Sequence, residues 1–270
     1  MKRKLYNILL AVFAAVFLIS GITLAVYYIQ NTQQETRYQE LAQLKGDETT
    51  PRPAPETPSP TEPVYSYVTV PDPETNELVK LLPEFAQLYA TNNDIVGWIR
   101  IPGTDINYPV MQTPDQPDYY LKRNFDKAPS ARGAIYVREA CDVFAPSDNV
   151  TIYGHRMQSG AMFGQLDRYY SADFCAENPY IYFDTLKQLH TYQILAVFVT
   201  SANQGQGFQF HLFTDAADAA EFDDFVTQCK ELSLYETGVD AVYGDKLITL
   251  CTCEYSRSNG RLVVVAKCID

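Results

Sequence analysis

The feature that most constrains this chain is an uncharged, strongly apolar run near its N-terminus. Residues 5–30 contain no Asp, Glu, Lys or Arg and consist mainly of Leu, Ile, Val, Ala and Phe. A helix of this length crosses about 30 Å of hydrocarbon. Lys2, Arg3 and Lys4 precede the run and no charge follows it directly, which places the N-terminus in the cytoplasm and the remainder outside. We therefore predict an uncleaved signal anchor over residues 1–30. The alternative is a cleaved signal peptide, whose apolar core is usually about 7–15 residues long.

A proline-rich segment separates the anchor from the rest of the chain. Six prolines fall within residues 49–63, and such a segment forms an extended, semi-rigid spacer rather than a core. The sequence therefore predicts three parts: an anchor over 1–30, an extracytoplasmic linker over 31–65 and a folded domain over 66–270. The linker either holds the domain away from the membrane or is a neutral tether. The domain is long enough for one well-buried core.

Composition excludes one class of partner and favours one class of fold. The net charge is −12 and no basic cluster follows the N-terminal one, so the chain lacks the positive surface that nucleic acid requires. The 20 tyrosines and 14 phenylalanines favour strands.

Short apolar or alternating segments dominate the folded part and predict a mainly β domain. The strand candidates are residues 95–101, 106–110, 133–137, 149–153, 180–183, 191–200, 246–253 and 261–268. Helical spacing of apolar residues predicts two helices, over 74–89 despite Pro83 and over the acidic stretch 214–232. Many short strands with few helices indicate a closed or nearly closed β-barrel.

Six cysteines are present, and one pair is too close in sequence to bridge. Cys251 and Cys253 lie two apart on one predicted strand, so their side chains share a face and a disulfide between them would strain the backbone. Their Cys-x-Cys spacing has no second ligand pair, although His155 could join them in space as a weak alternative. We predict no metal and no cofactor, and the pairing of the other cysteines stays open.

Cys253 is the best candidate nucleophile because it ends an apolar strand. A thiol needs a nearby cation to become a thiolate near neutral pH. Arg257 and Arg261 follow across a predicted turn, and Arg261 begins the next strand, where it could face Cys253 across the pair. The alternative is that both arginines are ordinary surface charges.

Three histidines are available as a base. His155 directly follows an apolar strand, where a loop can present a side chain. His190 lies in a polar turn and is expected to be solvated, and His211 lies between Phe210 and Leu212 and is expected to be structural. His155 is therefore the preferred candidate.

These residues carry a resemblance to the sortases, and to class B in particular. Residues 249–253, Thr-Leu-Cys-Thr-Cys, resemble the Thr-Leu-x-Thr-Cys signature of that family, and the strand opened by Arg261 resembles the arginine strand that follows it. Tyr153-Gly154-His155 with Met162-Phe163 downstream resembles the histidine segment. The segments that resemble the early strands of class B members are 94–99, 101–104, 106–110 and 119–121.

The resemblance, which runs from about residue 78 to 267, implies both a fold and a reaction. The implied fold is an eight-stranded sortase β-barrel with N-terminal helices and a helix inserted between strands six and seven, where 214–232 lies. The implied reaction begins with attack of Cys253 on the carbonyl after Thr in a C-terminal sorting motif of a secreted protein. An amine of a cell-wall peptide or a pilin then resolves the thioester, on the outer side of the cell membrane in a Gram-positive type envelope.

The resemblance also assigns roles to individual residues. His155 would act as acid and base, and Arg261 would stabilise the tetrahedral oxyanion. The implied substrate-binding residues are Leu121, Cys251, Thr252 and Glu254, the last through its backbone N–H. Position 251 departs from the family, because many class B members have Ser there.

Two other functions remain open from the residues alone. A membrane-tethered cysteine hydrolase would form the same thioester but release its product to water. A wall-associated binding module would use Cys253 only as a structural thiol.

Overall fold

The computed structural model describes residues 2–46, 65–203, 205–255 and 259–270. The proline-rich segment 49–63 lies entirely outside these residues, as does Arg257. The chain divides into two compact units, with the boundary between Gln43 and Leu44.

The first unit is built from one long helix. Helix α1 (Lys2–Lys45) is 44 residues long, so the first part of the predicted linker is helical. Its most apolar window has a mean hydropathy of 2.7, which makes α1 long and apolar enough to cross a membrane by length and composition.

The described residues of the second unit form ten strands and three further helices. The strands are β1 (Val68–Pro71), β2 (Leu78–Leu81), β3 (Ile95–Arg100), β4 (Asn107–Met111), β5 (Ile135–Val137), β6 (Asn149–Tyr153), β7 (Tyr180–Thr185), β8 (Thr191–Ser201), β9 (Leu247–Glu254) and β10 (Gly260–Cys268). The helices are α2 (Ala86–Thr91), α3 (Ala172–Glu177) and α4 (Ala219–Leu232). Short 3₁₀ turns lie at Pro83–Phe85, Tyr119–Lys122, Gly164–Tyr170 and Phe210–Leu212.

Strands β3 to β10 close into a barrel in the order β3-β4-β5-β6-β9-β10-β8-β7. The pairs β4–β5 and β6–β9 are parallel, and the other neighbours are antiparallel. Closure removes exposed sheet edges. The predicted eight-stranded barrel is confirmed, and α4 lies between its sixth and seventh strands, β8 and β9.

Strand β10 shows why the barrel requires continuous apolar runs. Leu262 and Val264 point to one face and Val263 and Val265 to the other, and all four side chains are fully buried. Val263 and Val265 belong to an apolar cluster that also contains Phe222, Phe225 and Val226 of α4. The strand is therefore covered on its outer face by α4 as well as on its inner face, and alternation disappears.

The helix predicted over 74–89 is wrong in its first half. Strands β1 and β2 form an antiparallel hairpin there, and only α2 at the end is α-helical. Leu82 has an extended backbone (φ −63°, ψ 141°), as expected before Pro83. Val79 and Leu81 are the less exposed residues of β2. This alternation is that of a strand, although the spacing of the apolar residues over 74–89 also fits a helix.

Candidate active site

Strand register sets Arg261 directly opposite Cys253. The two residues are paired on the antiparallel strands β10 and β9, so their side chains project from the same face. The preceding pair on that face is Val263 with Cys251, which the α4 cluster covers. Cys253 and Arg261 lie beyond this cover and are both partly exposed. The site therefore begins where α4 ceases to shield the sheet.

Strand β6 brings His155 to the other side of Cys253. Tyr153 is paired with Cys251 in the parallel β6–β9 ladder, and the Gly154 N–H donates to the Cys251 carbonyl at 3.2 Å. The pairing ends there, and His155 follows two residues later, where it lines the same pocket as Cys253. Because β9 lies between β6 and β10, the cysteine has the histidine on one flank and the arginine on the other.

A pocket of about 460 Å³ opens at this end of the three strands. Its lining includes six of the seven residues singled out in the sequence: Leu121, His155, Cys251, Thr252, Cys253 and Arg261. Glu254 directly follows Cys253 at the end of β9, and its side chain is buried. Its backbone N–H as a donor to substrate stays a prediction.

The cysteines differ sharply in their surroundings. All six lie in described segments, and none of them is disulfide-bonded. Cys251 is 2% exposed, and burial raises its pKa to about 12 despite the attraction of Arg261. Burial also raises the pKa of the Cys229 thiol. Cys253 is half-exposed in the pocket, so it is the thiol there that can meet a substrate.

The imidazole of His155 is fixed by a backbone carbonyl. Its Nε2 lies 2.8 Å from the Leu121 oxygen. A carbonyl oxygen only accepts hydrogen bonds, so Nε2 carries a proton and Nδ1 is the nitrogen that gains or loses one. The contact also gives Leu121 a role that sequence reasoning missed, because its main chain orients the histidine.

The backbone before His155 is closely packed against two side chains, which would have to shift to admit a Cβ. A Cβ on Gly154 would lie 2.5 Å from Ile135 Cδ1 and 2.6 Å from Phe163 Cδ2. The Thr252 hydroxyl donates to the Gly154 carbonyl at 2.8 Å and is itself buried. This hydrogen bond ties the segment that carries His155 to the strand that carries Cys253.

The pocket contains residues that sequence reasoning did not select. His211, expected to be structural, lines the pocket together with Arg138. Burial lowers the pKa of His211, and the guanidiniums of Arg138 and Arg261 lower it further, so this imidazole is neutral near pH 7. The positions of His211 and Arg138 in the sequence do not indicate a place in the pocket, because only the topology of the fold brings them to Cys253.

A phenol and a carboxylate form part of the same pocket wall. The Tyr136 hydroxyl donates to Asp118 Oδ1 at 2.7 Å. Burial, and then the Asp118 carboxylate, raise the pKa of Tyr136, so the phenol stays protonated and serves as a hydrogen-bond donor.

Comparison with known proteins agrees with this geometry. The sortase domain family matches residues 99–269. Sortase B of Staphylococcus aureus is 31% identical over 189 residues, which cover 69% of this chain and 75% of the relative. Sortase B of Listeria monocytogenes is 29% identical over 197 residues, covering 72% and 78%.

Solved structures of sortase B have the same fold. That of the Bacillus anthracis protein in complex with AAEK1 is 27% identical, with a TM-score of 0.70, and covers 90% of this chain and 99% of its own. The Staphylococcus aureus sortase B–substrate complex is 25% identical, with a TM-score of 0.71 and the same coverage.

The closed barrel, the pocket at one end of β6, β9 and β10, and the family match define the class. The chain belongs to the sortase family and is a sortase-type cysteine transpeptidase. Within that family its relatives by sequence and by structure are class B sortases, and this chain is a class B sortase.

Proposed function

We propose that this chain uses Cys253, His155 and Arg261 to cleave a C-terminal sorting motif of secreted proteins and to transfer the product to an amine. The observation that carries the proposal is the register of β6, β9 and β10, which brackets Cys253 with the other two residues in one pocket. A relative of the same fold, from Staphylococcus aureus, is known as a substrate complex, which supports a peptide substrate of the same class.

The acylation half begins with the Cys253 thiolate. It attacks the carbonyl after Thr in the motif, and the carbonyl oxygen becomes an oxyanion. Arg261 stabilises this charge, with the Glu254 N–H as a second donor; one such donor is commonly worth about 3–4 kcal/mol. The C–N bond then breaks, and the leaving amine takes a proton from His155. A thioester on Cys253 and a free C-terminal fragment result.

The transfer half reverses the proton flow. An incoming amine loses a proton to His155 as it attacks the thioester, and the oxyanion forms again beside Arg261. Collapse of this intermediate makes the new amide bond and releases the Cys253 thiolate. Since Nε2 of His155 already donates to the Leu121 carbonyl, Nδ1 is the nitrogen that carries the proton in both halves.

The guanidinium of Arg261 is oriented within its own strand. Its Nη1 donates to the Gly260 carbonyl at 2.9 Å. Because the guanidinium is a rigid planar fork with five N–H donors, fixing one N–H fixes the direction of the others. Arg261 is therefore suited to meet an oxyanion rather than only to supply charge.

Helix α1 supports a location at the cell membrane. We assign residues 1–30 as a single-pass anchor with a cytoplasmic N-terminus, 31–65 as a spacer and 66–270 as an extracellular catalytic domain. The length and hydropathy of α1 support this assignment. The acceptor amine would then belong to cell-wall peptide or to a pilin.

The ratio of amide product to acid product distinguishes transfer from hydrolysis. The full chain in detergent is incubated with pooled sorting-motif peptides, with and without a peptide that carries a free N-terminal amine. Amide product formed in preference to acid, and lost in Cys253→Ala, is the expected result. Acid alone across all acceptors would favour the tethered hydrolase, and intact peptide throughout would contradict both enzymatic functions.

A further inference from the structure

A second cluster of chemically active side chains lies at the opposite end of β10 from Arg261. Cys268 ends β10, His190 precedes β8, and Asp270 follows two residues after Cys268. Cys268 Sγ lies 3.3 Å from Asp270 Oδ1 and 3.9 Å from His190 Nδ1. His190 Nδ1 lies 3.4 Å from the same Asp270 oxygen. One sulfur, one nitrogen and one oxygen therefore form a small triangle.

We propose that His190, Cys268 and Asp270 bind a zinc-class metal ion. Zinc bonds of about 2.0–2.1 Å to nitrogen and oxygen and about 2.3 Å to sulfur, in a tetrahedron, set the ligand atoms about 3.3–3.6 Å apart. The three observed separations match these edges to within a few tenths of an ångström. The metal would sit above the triangle without rearrangement of the backbone.

The same geometry argues against a second catalytic triad. In a Cys-His-Asp relay the two ring nitrogens face different partners, one the nucleophile and the other the carboxylate. Here both Cys268 and Asp270 approach His190 through Nδ1, and Cys268 contacts Asp270 directly. The three donor atoms are thus mutual neighbours, which is the arrangement of a ligand set and not of a proton relay.

The cluster is held in place by the barrel itself. Cys268 is paired with Tyr192 in the β10–β8 ladder, and its N–H donates to the Lys246 carbonyl at 2.8 Å. The Thr191 N–H donates to Asp270 Oδ2 at 2.6 Å. This bond leaves Oδ1 directed at the other two ligand atoms and is the kind of outer contact that orients metal-binding carboxylates.

The donor set selects the class of metal. One thiolate, one imidazole and one carboxylate suit zinc, whereas magnesium and calcium require oxygen ligands throughout. Binding displaces the Cys268 thiol proton to solvent. The fourth position is left to water or to the main-chain oxygen of Asp270, which lies 3.8 Å from Sγ.

The position of the cluster indicates a structural role. Arg261 is paired with Thr200, and Cys268 with Tyr192, so the metal lies at the other end of the β8–β10 pair from the pocket. A metal there would clip the segment after β10 to the turn before β8. It would raise the stability of the barrel without entering the reaction.

The test uses cobalt as a spectroscopic substitute for zinc. The full chain carrying Cys253→Ala is stripped with chelator in detergent and titrated with Co²⁺, so that the active-site thiol cannot contribute. We expect one equivalent to produce the absorption of tetrahedral Co²⁺ with a thiolate charge-transfer band, Zn²⁺ to displace it, and Zn²⁺ to raise Tm. Ca²⁺ and Mg²⁺ should leave the spectrum unchanged.

Variants assign the site. In the same background, Cys268→Ser and Asp270→Asn should each weaken Co²⁺ binding by more than about tenfold. Loss of an outer-shell partner alone commonly costs about that much affinity, and these two residues are proposed as direct ligands. His211→Ala is the matched imidazole control and should bind like the parent. Asp270 is exposed, so Asp270→Asn tests the site even if Cys268→Ser folds poorly. Absence of the thiolate band, or full binding in both variants, would overturn the proposal.

Discussion

Of the two proposed oxyanion donors, Arg261 acts through its side chain and Glu254 through its backbone N–H. Arg261 faces Cys253 across β9 and β10, while Arg257, the competing arginine in the sequence, lies outside the described residues. Arg261→Ala should lower kcat/KM for transfer by about 10²–10³-fold, the loss typical of one oxyanion donor. Arg261→Lys should recover little, because the ammonium lacks the planar fork.

Arg257→Ala is the matched control for this prediction. It removes the same charge four residues earlier and should retain most of the activity. The measurement is steady-state transfer of a motif peptide to an amine, with circular dichroism to confirm the fold of each variant. The reverse ranking of the two alanine variants would move the role to Arg257.

We predict that the Thr252 hydroxyl supports activity by holding the His155 segment in place, and not by contacting the reacting groups. Thr252→Val removes the hydrogen bond to the Gly154 carbonyl and leaves that acceptor unpaired, a cost of about 1–3 kcal/mol. Transfer measured well below Tm should fall, because the His155 segment is no longer tied to β9.

Thr249→Val supplies the comparison for this variant. Thr249 is also buried on β9 and donates to Asn149 Oδ1 at 2.7 Å, at the start of β6 and well before His155. It should lower Tm without a comparable loss of transfer. Equal loss of activity per degree of Tm in the two variants would mean that Thr252 acts only on stability.

At the residue scale, the sequence could predict which site residues face each other across two neighbouring strands. Cys253 and Arg261 are separated by a short turn, so their pairing follows from local pattern. The position of His211 in the pocket could not be predicted, because no local signal brings a histidine between two aromatic or aliphatic neighbours to a pocket. The same holds for the contact of His190 with Asp270.

At the scale of elements, the β1–β2 hairpin provides a pH-dependent test. Asp72 lies in its turn and accepts hydrogen bonds from the Tyr89 hydroxyl and from the Thr75 and Glu74 N–H groups. These bonds, that from Tyr89 foremost, hold the pKa of Asp72 well below its ordinary value of 3.8. An acid whose pKa is lowered by folding stabilises the protein above its unfolded pKa, and this stability is lost as pH falls through the folded pKa.

Asp72→Asn should therefore lower Tm near neutral pH and lower it less as pH falls below 3.8. Thermal unfolding followed across this range measures the difference between the variant and the parent. Asp115→Asn, which changes another exposed turn carboxylate, is the control. A difference that stays constant with pH would show that the carboxylate charge of Asp72 contributes nothing.

The same hairpin marks the limit of pattern reading for elements. The eight barrel strands and α4 were located within a few residues, because most of them carry an apolar run bounded by turn residues. The segment 74–89 was not, since Pro83 and pairing with β1 outweighed a helical spacing that four residues cannot distinguish from a strand.

At the scale of the whole molecule, residues 1–30 are predicted to remain attached to the mature protein. The full chain expressed in a Gram-positive host should sediment with membranes and resist extraction by high salt, because the contact is hydrophobic. Protease added to cells without a wall should degrade the domain 66–270 while cytoplasmic markers survive. Release of a shortened, soluble chain would instead identify a cleaved signal peptide.

The barrel order is the part of the whole molecule that the residues alone could not specify. The parallel β6–β9 pairing joins segments nearly 100 residues apart, and no local pattern encodes it; the family resemblance implied the eight-stranded barrel but not this pairing. That pairing is also what brings His155 to Cys253. The proposed catalytic arrangement is thus a property of the closed barrel rather than of any single motif.

The most direct test of the account is the covalent state of Cys253 during turnover. The full chain in detergent is mixed with pooled motif peptides without an amine acceptor, quenched in acid and analysed by intact and peptide-level mass spectrometry. We predict a mass increase equal to the N-terminal part of one peptide, located on Cys253, absent in Cys253→Ala and discharged by added amine. An adduct on another cysteine, or turnover in Cys253→Ala, would contradict the assignment of Cys253 as the nucleophile.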